Sequence, residues 1–178
     1  MDLLGIVIIG VVLGVVSVII NRLMKRGMLG AASVTDNALT AMGVATPEQH
    51  REAQFAAMAT GLEVGATLAG AQTIVDAVVS AKPRAYSTQG ERIYGITFLG
   101  KPDMIVELIE HGEKSMLRMV SFYAGNGNPQ SPPDWKSLCQ RVAKQASSEG
   151  VETSEVSGVS EFVTVGERGH ETRYSVER

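Results

Sequence analysis

Arg92-Ile-Tyr-Gly-Ile-Thr-Phe-Leu-Gly-Lys-Pro-Asp-Met-Ile-Val-Glu-Leu-Ile-Glu-His-Gly-Glu-Lys-Ser-Met-Leu-Arg-Met-Val-Ser-Phe-Tyr123 decides the fold class. Its hydrophobic period is two, the period at which successive side chains point to opposite faces of a strand. Tyr94, Ile96 and Phe98 alternate with Ile93, Thr97 and Leu99. Gly100-Lys-Pro-Asp103 carries the punctuation of a turn. Met104–Ile109 also fits a helical stripe, with Pro102 at its start and Gly112 past its end. Its β-branched residues between two turn signals favour a strand. Met116–Tyr123 alternates again, so the whole stretch reads as an antiparallel meander.

Both flanks of the meander read as helical. Upstream, Thr46-Pro-Glu-Gln49 is a helix start. Thr46 can cap, Pro47 suits the first turn, and Gln49 occupies the capping-box position. The spacing of Ala53, Ala57, Val64, Leu68, Ala71, Val75 and Val78 predicts one long helix ending at about Ala81, before Lys82-Pro83. Glu63, Gln72 and Asp76 argue against Gly61–Ala81 as a membrane span, because mid-membrane carboxylates are costly. Downstream, Gly125–Pro133 is a loop by composition. Ser131 and Asp134 signal a second helix over Pro132–Ser148, with Trp135, Leu138, Val142 and Ala146 on its apolar face. Ser147–Ser160 reads as a polar, flexible link. Phe162–Val165, a Gly166–Gly169 turn and the alternating Thr172, Tyr174 and Val176 read as a hairpin. The expected class is α+β.

The N-terminus is of another kind. Leu3–Ile20 holds eighteen residues without a charge. As a helix it would be roughly 27 Å long, close to the ~30 Å hydrocarbon core of a bilayer. A cleaved signal peptide fits poorly, because the start Met1-Asp2 is acidic and cations stand where small residues would be needed. The expectation is a single transmembrane anchor over residues 1–26. Arg22, Lys25 and Arg26 directly after the span place the N-terminus outside and the remainder in the cytoplasm by the positive-inside rule. Gly10, Gly14, Ser17 and Asn21 recur at spacings of four, three and four. This stripe would let a helix of another subunit approach closely. Residues 27–45 read as a linker with a short helix, 46–150 as the α+β domain, and 151–178 as the polar link and hairpin.

The chemistry-bearing residues are sparse. The chain has 178 residues and a formal net charge of −3, which gives no electrostatic basis for nucleic acid as a partner. Cys139 is the single cysteine, so no internal disulfide can form. His50, His111 and His170 do not stand at metal-ligand spacing with another ligand. No phosphate-binding glycine loop, nucleophile elbow or HExxH helix is present in the sequence. No cofactor is expected, and the reading is not that of an enzyme. Were there a titrating site, Glu63, Asp76 and Glu107 would be its candidates, since each lies in an apolar stretch. The simpler expectation is a carboxylate on a solvated face.

These features lead to a non-catalytic, single-pass subunit that scaffolds a larger membrane assembly, such as a respiratory or photosynthetic complex or a virion. Its expected partners are lipid and the transmembrane helices of other subunits. An apolar N-terminal helix followed by helix and antiparallel sheet also resembles type IV pilins in layout, which would imply a filament subunit. The chain departs from that pattern at Gly5, where pilins carry Glu, and in its single Cys139. A membrane-tethered ligand-binding domain or enzyme is the third reading.

Overall fold

A computed structural model describes residues 46–98 and 101–176. The anchor and linker, with Gly10, Gly14, Ser17, Asn21, Arg22, Lys25 and Arg26, lie outside the described residues, as do Leu99 and Gly100. The element order is α1 (Pro47–Met58), β1 (Gly61–Val64), α2 (Leu68–Ser80), β2 (Tyr86–Gly90), β3 (Ile93–Phe98), β4 (Lys101–His111), β5 (Lys114–Gly125), β6 (Asn128–Pro129), α3 (Pro132–Ser148), β7 (Thr153–Val156), β8 (Phe162–Arg168) and β9 (Glu171–Val176). The fold is α+β, with three helices and one antiparallel sheet among the described residues.

The sheet runs β2-β3-β4-β5-β1-β7. β5 is its spine, because β1 and β9 share one edge of it. Ser115–Leu117 pair with β1, and Ser121–Gly125 pair with β9. Between those two partners the Met119 carbonyl accepts a 3.1 Å bond from the buried Ser160 hydroxyl. A side chain thus fills a gap in the ladder, as buried backbone groups require. Gly61 lies under the same crossing segment. A Cβ there would stand 2.8 Å from both Met116 Sδ and Val159 Cγ2, so only glycine fits without displacement.

Register explains which residues form the core. Leu62, Leu117 and Leu108 are cross-strand neighbours, as are Met119, Val106 and Tyr94, and Phe122, Met104 and Ile96. All are buried on one face. Against that face α2 packs Ala71, Ile74, Val75 and Val78, and α3 packs Trp135, Leu138 and Val142. At the β9 end the cover is aromatic. The Phe122 ring lies 5.6 Å from Phe55 of α1, 4.9 Å from Phe162 of β8 and 5.4 Å from Tyr174 of β9.

The meander and α3 stand where the sequence places them, and so does the start of α1. Thr46 Oγ1 accepts from Gln49 N at 3.2 Å, and Gln49 Oε1 accepts from Thr46 N at 3.0 Å, a reciprocal capping box. At α3, Ser131 is the N-cap but adopts a left-handed conformation and makes no side-chain cap bond. The Asp134 N–H bonds the Ser131 carbonyl instead.

Four expectations are corrected. The helix expected from Thr46 to about Ala81 is two helices separated by β1. Ala53 and Ala57 of the expected seam are exposed, and Phe55 and Met58 face the core. The heptad spacing joined two exposed alanines of α1, Val64 of β1 and the core-facing side of α2, which belong to three separate elements. The expected Gly100–Asp103 turn is wrong at Lys101–Asp103, which belong to β4, because Pro102 is tolerated opposite Thr97 where the register shifts. The Ser147–Ser160 link contains β7, paired with β1 through Thr153–Val156. β7 has β1 as its neighbour on one side, so its side chains stay half-exposed or exposed and give no hydrophobic alternation. In the C-terminal hairpin the strands extend through the expected Gly166–Gly169 turn to Arg168 and Glu171, with Gly169 at φ +64 in the turn itself.

Candidate functional site

The three carboxylates singled out from sequence are dispersed, and each has partners. On β1, Glu63 faces away from the helices beside Met116 and Ser154, its cross-strand neighbours. Its Oε1 accepts from Lys114 Nζ at 2.7 Å and Ser154 Oγ at 3.2 Å, and its Oε2 lies 3.1 Å from His111 Nδ1. The Lys114 ammonium, then His111, holds the Glu63 carboxyl below its ordinary range, and Glu63 in turn raises Lys114. This cluster ties β1, β7 and the β4–β5 turn together. Ser154 bonds the carboxylate and not the imidazole, so the geometry is that of a cross-strand clamp rather than of an activated nucleophile.

Asp76, on α2, accepts a 2.8 Å bond from the Tyr94 hydroxyl. Burial, followed by that carboxylate, pushes the Tyr94 phenol well above its ordinary range, so it stays a neutral donor. Glu107 and Arg118 are opposite one another on β4 and β5. Two guanidinium nitrogens, Nε at 2.8 Å and Nη2 at 2.6 Å, meet the same carboxylate oxygen. All three carboxylates are at most half-exposed, and each carries a structural hydrogen bond or ion pair.

The more concave feature is a cleft of about 430 Å³ between α1, α3 and β7. Gln54 and Ala57 line it from α1, Pro132, Trp135 and Cys139 from α3, and Glu155 from β7. The Pro132-Pro133 start of α3 and the small Ala57 leave the space open. Trp135 is anchored by its indole N–H, which donates to Thr60 O at 3.1 Å. Cys139 is buried, and that burial, aided by the Glu155 carboxylate, pushes its thiol up to about 12. At neutral pH it is a small apolar wall element and not a nucleophile. Gln54 Nε2 lies 3.0 Å from His50 Nε2, while Gln54 Oε1 is buried without a partner.

No family model, curated protein or solved structure matches the chain.

Among the described residues no group of three or more His, Cys, Asp or Glu side chains is placed to hold a metal. No helix among them is long and apolar enough to cross a membrane. His50 and His111 have side-chain partners, and His170 accepts from Asn126 N through its carbonyl. Sequence reading named Trp135 and Cys139 but missed Gln54, Ala57 and Glu155 as their neighbours. The i, i+3 spacing of Gln54 and Ala57 was the available signal, since it puts both on one face of α1.

A second surface feature lies on the C-terminal hairpin. β8 pairs with β9 alone among the described residues, so its other edge is open there. Val163 and Val165 are 39 % and 54 % exposed, Val165 at a register shift between Thr164 and Gly166, while Phe162 turns inward onto Phe122.

Proposed function

We propose that this chain is a non-catalytic, single-pass membrane subunit that scaffolds a larger assembly and docks on its partner through β8. The observation that carries the reading is the pair Val163 and Val165 on an open-edged strand. Such an edge presents unpaired N–H and C=O groups, and natural proteins ordinarily blunt it with charge, proline or a covering element. On β8 the register shift between Thr164 and Gly166 and the charged Glu167 lie toward its turn end, while two exposed valines remain before Glu167, which suits strand addition by a partner. The partnered carboxylates Glu63, Asp76 and Glu107 support the same reading, because their hydrogen bonds join strands and a helix to one another.

In this account Leu3–Ile20 spans the bilayer and Arg22, Lys25 and Arg26 keep the domain in the cytoplasm. The Gly10, Gly14, Ser17 and Asn21 stripe packs on partner helices. Purification of the intact chain in gentle detergent tests this. A stable complex with defined stoichiometry is expected, weakened by Gly10→Leu and Gly14→Leu with membrane insertion retained. A monodisperse monomer in every detergent would overturn it.

A further inference from the structure

The cleft between α1 and α3 has no part in that scaffold reading, and its chemistry is specific. We propose that it is a binding site for an uncharged, mostly apolar small molecule that carries one hydrogen-bond donor. Three observations converge on that class.

The first is shape and lining. The cleft holds about 430 Å³ and is walled by Trp135, Pro132, Ala57 and the Cys139 thiol. Ligand pockets of roughly 300–1,000 Å³ are lined in this way, with few polar groups to fix orientation. Most of the walls come from α1, α3 and the strands β1 and β7, so regular elements frame the space.

The second is the Gln54 amide. Its Nε2 is engaged with His50 Nε2, which accepts when the imidazole proton is on Nδ1. Its Oε1 is closed to water and has no donor, the one such buried side-chain atom among the described residues. A buried acceptor without a partner is an unfavourable state that folding ordinarily avoids. The Gln54 side chain lines the cleft, so a turn of its amide toward a ligand bound between α1 and α3 would bring the oxygen onto an O–H or N–H of that ligand and satisfy it.

The third is charge. Lys136 and Glu155, one of each sign, stand at the walls. Cys139 is neutral, since burial pushes its thiol up to about 12. Lys136 and Glu155 offset one another, so an anionic or cationic ligand would lose its hydration on entering and meet a like charge as well as an opposite one.

The test uses three probes of one ring size: cyclohexanol, methoxycyclohexane and cyclohexanecarboxylate. They are titrated into the full chain in lipid nanodiscs, with free probe measured in the aqueous phase. Trp135 is the only tryptophan in the chain and lines the cleft, so its emission reads occupancy directly. Saturable binding is expected for cyclohexanol, about tenfold tighter than for the ether, which lacks the donor, with the carboxylate weakest. Gln54→Leu should erase the alcohol–ether difference. Ala57→Phe, at an exposed position of α1, should fill the cleft and abolish binding of both. Should Gln54→Leu not fold, the wild-type ranking and Ala57→Phe still decide. No saturable response to the alcohol, equal affinity for alcohol and ether, or tightest binding of the carboxylate would each overturn the proposal.

Discussion

Replacing Phe122 with leucine removes a ring that three others touch while leaving an apolar side chain of similar size. Phe122 is fully buried on β5 and contacts Phe55 of α1, Phe162 of β8 and Tyr174 of β9. A hydrophobic swap of this kind costs up to ~1.5 kcal/mol when the core can repack. Each lost aromatic pair adds about 0.5–1.5 kcal/mol, less than additively because the rings share one site. The expected total is about 2–3 kcal/mol, a large share of the ~5–15 kcal/mol of a typical domain. With a urea slope near ~2 kcal/mol/M, the midpoint should fall by about 1 M with the slope unchanged. Urea unfolding followed by Trp135 emission measures the shift, and hydrogen exchange of Val163–Val176 should accelerate with it. A double-mutant cycle with Tyr174→Leu should show a coupling of about 0.5–1.5 kcal/mol for the stacked pair. A loss under ~0.5 kcal/mol, or hairpin exchange that does not change, would refute the claim that this ring joins the hairpin to the sheet.

Three further outcomes follow from the geometry. Glu63 is lowered, so its contribution to stability is full above the ordinary carboxylate range and is lost as pH falls through its depressed value. Lys114 is raised, so its contribution is full below the ordinary lysine range and is lost as pH rises through its elevated value. Glu63→Gln should therefore flatten both the acid and alkaline limbs of a thermal-stability profile against pH, and an unchanged profile would count against the clamp. With its thiol near 12, Cys139 has a thiolate fraction at pH 8 some 10³-fold below that of a free cysteine. Its greater intrinsic nucleophilicity recovers part of this, leaving alkylation on the order of 10²-fold slower than for a free thiol, a rate that a timed iodoacetamide reaction reads. Prompt labelling of native protein would contradict the buried placement. Gly61→Ala should destabilise by about 1–3 kcal/mol, since the new methyl meets Met116 and Val159 at 2.8 Å, and a urea titration checks it.

The elements that the sequence disclosed share one property: their signals are local. Thr46 and Gln49 sit three apart and bond one another. Ser131-Pro132-Pro133 and the Trp135–Leu138–Val142–Ala146 face bound α3 at both ends. The alternation of Tyr94 and Ile96, and again of Met116–Tyr123, survives because one face of each strand meets the helices. The elements that were missed are defined by partners far along the chain. β1 is four residues long, too short to show a period, and is a strand because β5 and β7 lie on either side of it. β7 is half-solvated and polar, so only its ladder to β1 marks it. The candidate carboxylates were found by their apolar surroundings, but their partners lie 11 positions away for Glu107, 18 for Asp76 and 51 for Glu63 with Lys114. The cleft was least legible, since Gln54, Trp135 and Glu155 come from three elements whose adjacency exists only in the fold.

The central claim, docking through β8, is tested most directly by a variant carrying Val163→Lys and Val165→Lys together. Both residues are exposed, so the isolated domain should keep its stability to within about 0.5 kcal/mol. Membrane extracts from cells expressing either form, solubilised in gentle detergent, are resolved by native size and mass spectrometry. The account predicts that the wild-type chain migrates in a complex of fixed composition and that the double variant, still membrane-bound, migrates free of it. An identical complex for both chains would contradict it.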